Sequence, residues 1–152
     1  MARILLAILL LFCAISLARA QEITTSFSAI PLDPCQANKK TFTPINMSTA
    51  TTLTIVAGVS SKKTFICSIF LFAAGADNVG VVEGTGTNCS TVSAGIFGGT
   101  TAASGINLAA NQGWQQGDGG FTIAQTATNA DNFCLVTSAA VQLSGGVTTV
   151  QQ

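Results

Sequence analysis

Hydrophobic and polar positions along the chain alternate in short runs, and turn chemistry breaks them at intervals of roughly ten residues. "ATTLTIVAGV" (residues 50–59) places Leu53, Ile55 and Ala57 on one face and Thr52, Thr54 and Val56 on the other, the period of a half-buried strand. "TFICSIFLFAA" (64–74) is apolar at almost every position, which predicts a central strand covered on both faces. "VGVVE" (79–83) follows the turn residues "GADN" and is predicted to return antiparallel to it. "TVSAGIF", "GINLAANQGW", "FTIAQTA", "FCLVTS" and "VQLSGGVTTVQQ" supply further strands, separated by "GDGG" and "TNADN". Gly145-Gly146 within the last run predicts a bulge or tight turn. No long segment after residue 20 has helical period. The expected fold is all-β: one β-sandwich, jelly-roll-like, of about eight short antiparallel strands.

The first twenty residues are different. "MARILLAILLLFCAISLARA" has a basic start at Arg3, a charge-free apolar run from Ile4 to Leu17, and small residues Ala18 and Ala20 before a cut. This is the layout of a cleaved secretory signal peptide, with a run shorter than the ~20 residues of a membrane span. The expected organisation is a signal peptide over 1–20, an extended arm over 21–44 and the sandwich over 45–152. The arm holds all three prolines, Pro31, Pro34 and Pro44, and proline cannot donate to a strand ladder.

Removing the signal takes both arginines with it. Four lysines (Lys39, Lys40, Lys62, Lys63) then face six acids, a net charge of −2 over 132 residues. No basic face remains to neutralise phosphates, which argues against nucleic-acid partners. The same export moves four cysteines, Cys35, Cys67, Cys89 and Cys134, into an oxidising compartment, where they are expected to form two disulfides. Of the three connectivities, Cys67 with Cys89 and Cys35 with Cys134 is preferred, the first closing the strand pair 64–74/79–83 and the second tying the arm to the core.

Candidate chemistry is sparse. "GTGTNC" (84–89) has two glycines at dinucleotide-turn spacing, but Cys89 stands where a third glycine belongs and no strand-to-helix transition follows. The chain has no histidine or tyrosine, so an activated nucleophile lacks its usual base, and no enzyme is expected. No cofactor is expected. Asp77-Asn78 and Asp131-Asn132 are candidate calcium ligands at loop tips, provided the two tips converge. Asn46-Met47-Ser48 and Asn88-Cys89-Ser90 are candidate N-glycosylation sequons. Trp114 is a candidate for stacking on a sugar if exposed, or for closing the sandwich end if buried.

Several stretches, "SSKKTFICSIFLFAAGADNVGVVEGTGTNC", "GIFGGTTAASG", "TATNADNFCLVTS" and "VQLSGGVTTVQ", together resemble a family of small, uncharacterised, disulfide-containing β-sandwich proteins of bacterial and phage genomes and metagenomes, often encoded beside virion structural genes. The likeness runs from about Cys35 to Gln152 and takes in the four cysteines in order. It implies a compact jelly-roll-like module assembling on a particle, tail or cell surface, and carries over no catalytic residue. The expectation is a secreted structural or interaction module, at the cell surface or in the periplasm, that self-associates or binds another surface or virion protein. Its arm (21–34) or tail (147–152) would add to a neighbour's sheet. The alternative is an extracellular carbohydrate- or calcium-binding module.

Overall fold

The computed structural model describes residues 32–152. The expected signal peptide and the first eleven residues of the expected arm lie outside the described residues. Ten strands form two antiparallel sheets of five. The first sheet has the order β1 (Thr41–Met47), β10 (Leu143–Gln151), β3 (Thr64–Ala73), β7 (Gln112–Gln116), with the two-residue β8 (Ala124–Gln125) also on β3. The second has the order β2 (Thr52–Val56), β9 (Asn132–Thr137), β4 (Asp77–Thr85), β5 (Thr91–Phe97), with β6 (Ile106–Leu108) also on β4. Read as partners, the strands nest: β1 with β10, β2 with β9, β3 with β7, β4 with β5. The first and third pairs lie in one sheet, the second and fourth in the other. This is a long antiparallel hairpin wound into a jelly roll, and the short β6 and β8 are additions to its eight strands.

The winding explains where the expected pairing fails. β3 and β4 are consecutive but do not pair, because the chain crosses to the facing sheet at Gly75-Ala76. Both sides of β3 are taken, by β10 on one and by β7 and β8 on the other. Cys67 on β3 and Cys89 just after β4 therefore lie with different sheets, and the disulfides are Cys35–Cys67 and Cys89–Cys134, with Cα separations of 5.6 and 6.4 Å. The preferred connectivity from sequence is thus corrected. Cys134 sits opposite Val82 in the β4–β9 ladder, beside the 3-10 turn Thr87–Cys89 that follows β4. Cys67 is the extra residue of a bulge: Thr148 faces Ser68 and Thr149 faces Ile66, so Cys67 has no residue opposite it. The bulge lies there, and Gly145-Gly146 run straight through the ladder.

The core fills the space between the sheets. Ile45 and Met47 of β1, Ile69 and Leu71 of β3, Val79 and Val81 of β4, Phe133 and Leu135 of β9, and Leu143 and Val147 of β10 are all buried in one cluster. A second, smaller cluster lies on the outer face of the first sheet. Helix α1 (Pro34–Ala37) packs on β3 and β10 there, and Cys35 joins Cys67, Val150 and Phe65. Asp33 caps the helix by accepting from Cys35 N (2.8 Å), and Pro34 opens its first turn. Thr122 donates to the same carboxylate oxygen from its backbone and its hydroxyl, 2.9 Å each. The segment from Asp33 is thus anchored, and β1 begins at Thr41, inside the range expected for the arm. Pro44 is accommodated because β1 is an edge strand. Most of the tail is not an edge: β10 is paired on both sides from Leu143 to Thr149, and Val150 and Gln151 pair with β3 alone.

Two disulfides within a small β-sandwich fit a stabilised extracellular module. Among the described residues, no helix is long and apolar enough to cross a membrane.

Candidate functional site

Alternation on β3 sends Ile69, Leu71 and Ala73 into the core and Ser68, Phe70 and Phe72 outward. α1 covers one end of this outer face and stops short of the other. The strand is therefore not covered on both sides along its length: Phe72 is 57% exposed and Phe42 of β1 is 56% exposed. Phe42 stacks on Phe70 with centroids 6.4 Å apart, and Phe70 meets Phe72 edge-on at 6.1 Å. The three rings form one aromatic strip across β1, β10 and β3. Glycines make its floor. Gly146 is directly opposite Phe70, and a Cβ there would enter the Phe42 ring. Gly113 is opposite Phe72, and a Cβ there would lie 2.5–2.7 Å from two atoms of the Phe72 ring. Rings laid over cross-strand glycines cover backbone that those glycines leave bare.

At the Phe72 end the strip opens into a cleft of about 300 Å³ lined by Phe72, Ala73, Ala74, Asn111, Gln142 and Ser144. No charged side chain lines it. Gln142 is held firmly: its Nε2 donates to Asn46 Oδ1 (2.7 Å), Ser144 Oγ (3.0 Å) and Leu143 O (3.3 Å), and its backbone carbonyl accepts from Ala74 N (2.8 Å). Asn111 occupies the left-handed region (φ 61°) in the turn that carries the chain from β6 to β7. That turn is closed by Gln112 N to Ala109 O (3.1 Å) and by Ala109 N to Gln112 Oε1 (2.7 Å).

A smaller hollow of about 180 Å³ lies at Ala76, Asp77, Asn78, Asn107 and Ser138. Asp77 is buried, and its Oδ1 accepts from Ser138 N, Ser138 Oγ and Ala139 N at 2.9 Å each, pinning the turn after β9. Its Oδ2 is buried without a hydrogen-bond partner, as is Oδ2 of Asp131. The two Asp-Asn pairs do not converge. Asp77 starts β4, whereas Asn132 faces Gly84 at the other end of the same ladder. Seven residues of strand separate them, more than ~20 Å at about 3.3 Å per residue. One calcium ion cannot be shared between them, so the convergence on which that calcium site depended is not met. Among the described residues, no three carboxylate, cysteine or histidine groups gather to hold a metal. The Asn132 amide is instead a clamp, accepting from Gly58 N (2.8 Å) and donating to Gly86 O (2.9 Å).

Trp114 is half-buried, packed against the core and edge-on to Phe97 at 5.5 Å, the placement of a residue closing the sandwich. Asn46 and Asn88 are both exposed. Asn46 lies on the outer face of β1, in one cross-strand row with Ser144 and Phe72. Asn88 is bound into its turn, accepting from Thr54 N at 3.2 Å beside the Cys89–Cys134 disulfide. The residues that sequence reasoning missed are Phe42, Phe70, Phe72, Asn111, Gln142 and Ser144. The available signal was the unbroken apolarity of "IFLF" (69–72), which reads equally as a doubly covered strand or as a strand with one bare aromatic face.

Comparison of the chain with protein-family models, with curated proteins and with solved structures gives no match.

Proposed function

We propose that this chain is an exported, non-catalytic interaction module that works through the outer face of its first sheet, associating with copies of itself or with the surface of a cell or virion. The observation that carries the reading is the strip Phe42–Phe70–Phe72, aromatic and more than half exposed at both of its ends. Aromatic rings on a rigid strand supply large contact area at little cost in conformational freedom, and they are enriched where proteins meet partners. None of the four lysines of residues 21–152 lies on β1, β3, β7 or β10, so no cationic side chain of these strands opposes association. The jelly roll is used by capsid and lectin domains alike, and this analogy adds to the resemblance to phage-associated β-sandwich proteins. Export is supported by the leader-like first twenty residues and by the two disulfides.

Light scattering on the oxidised protein over a range of concentrations tests the reading. The wild type is expected to exceed the monomer mass as concentration rises, and the double variant Phe42→Thr/Phe72→Thr to remain monomeric with an unchanged fold. Adhesion to cells or virions is measured on the same pair. A wild type that stays monomeric and adheres no better than the double variant would overturn the proposal.

A further inference from the structure

We propose that the cleft beside Phe72 binds a neutral pyranose, so that the surface engaged by this face is a glycan. The inference rests on the interaction reading above and names the chemistry of the partner. A pyranose ring offers two kinds of surface, a face of C–H groups and a rim of hydroxyls, and the cleft offers a counterpart to each. Phe72 is the platform. Its ring is exposed, backed by Gly113 and held edge-on by Phe70, and it stands on a strand paired on both sides. The electron-rich face of such a ring attracts C–H groups of partial positive charge.

Asn111, Gln142 and Ser144 supply the rim. Amides and hydroxyls both donate and accept, as sugar hydroxyls do. Gln142 has Nε2 engaged with three acceptors, so its Oε1 is the end of the amide left for a ligand hydroxyl. Asn46 is a positioning residue here, because its Oδ1 holds the Gln142 amide in place. A site fixed before binding avoids the entropy of ordering its side chains on binding.

Two further features select the ligand class. The lining carries no charge, so a phosphate, uronate or ammonium group would lose hydration without gaining a counter-ion. A volume of about 300 Å³ is at the low end for ligand pockets, ~300–1,000 Å³. It suits one sugar ring with the rest of the glycan running out along the Phe70–Phe42 strip.

NMR titration of the oxidised, isotope-labelled protein with methyl glycosides of glucose, galactose, mannose and N-acetylglucosamine tests this, with methyl glucuronide as the charged comparison. At least one neutral glycoside is expected to shift the side-chain amide signals of Asn111 and Gln142, and the glucuronide to leave them in place. Phe72→Thr should weaken binding about tenfold or more. Asn111→Gly should weaken it about fivefold with an unchanged melting temperature, since glycine adopts a φ of 61° freely. Phe121→Thr removes an equally exposed ring near the opposite end of β3 and should change nothing. The saccharide proposal is overturned if no neutral glycoside shifts these signals, if Phe72→Thr binds as well as wild type, or if the glucuronide binds equally. If it is overturned while the Phe42/Phe72 double variant still loses association or adhesion, the interaction reading stands alone. If that variant also behaves as wild type, both fall.

Discussion

A methyl group added at Gly145 and one added at Gly146 meet different kinds of neighbour. At Gly145 it would run into the carbonyl oxygen of Phe70 and sit 3.1 Å from Leu71 Cα, both backbone atoms of the central strand β3. Neither can move without parting β10 from β3. At Gly146 it would enter the Phe42 ring, whose far end is exposed and free to swing away. Gly145→Ala is therefore expected to cost about 3 kcal/mol of stability, towards the upper end of ordinary overpacking. Gly146→Ala should cost about 1 kcal/mol or less, because alanine recovers part of what glycine loses in a strand. Denaturant titration of the two variants measures both. The ordering reverses if these glycines serve only to kink the strand. It also distinguishes a floor that supports rings from a passage between strands, a difference that the repeated "GG" of the sequence does not reveal.

At the scale of elements, each disulfide ties a short helical turn to a central strand. Cys35–Cys67 closes over a separation of 32 residues and fastens α1 to β3; Cys89–Cys134 closes over 45 and fastens the turn after β4 to β9. Loop-closure entropy gives about 4 kcal/mol for each. Replacing either pair by alanine is expected to lower the melting temperature by a similar amount. Loss of Cys35–Cys67 should also loosen the cover over Phe65 and Val150, and loss of Cys89–Cys134 the cover over Val82, Val92 and Val136, which dye binding to apolar surface would detect. The strands at 52–56, 64–73, 91–97 and 132–137 were legible because β-branched runs stand between turn residues, a strictly local signal. β1 was hidden by Pro44, which argues against a strand unless the strand is an edge. Pairing was not legible, because "GADN" allows either a hairpin or a corner between sheets, and only the competition for the sides of β3 decides between them. The wrong disulfide assignment followed from that one ambiguity. The candidate site was hidden for a related reason: Phe70 and Phe72 look like core until the place where α1 stops is known.

For the whole molecule, the question is which surfaces remain open. Among the described residues the sandwich presents β1 as an edge with one unpaired side, and Pro44 stands in the middle of it with no N–H to offer an incoming strand. Pro44→Val is expected to make this edge a template for strand addition. Its readout is a concentration-dependent rise in light scattering that persists when Phe42 and Phe72 are also replaced by threonine. If the aromatic strip is the only route to association, the triple variant stays monomeric. The two surfaces are thus separable by genetics although they border one another on β1.

Placing β10 between β1 and β3 has a consequence for the order of events in synthesis. Among the described residues, the only ladder partner of β1 is the strand made about a hundred residues later. Until that strand has left the ribosome the first sheet lacks its middle, the aromatic strip lacks Gly146 of its floor, and β1 lacks its partner β10. Local pairs such as β4 with β5 can form earlier, but the first sheet closes only when the long-range partner of β1 arrives, the kind of contact that forms slowly. A polypeptide in that condition can be drawn through a narrow translocation channel, and its thiols can meet an oxidant before the roll closes around them.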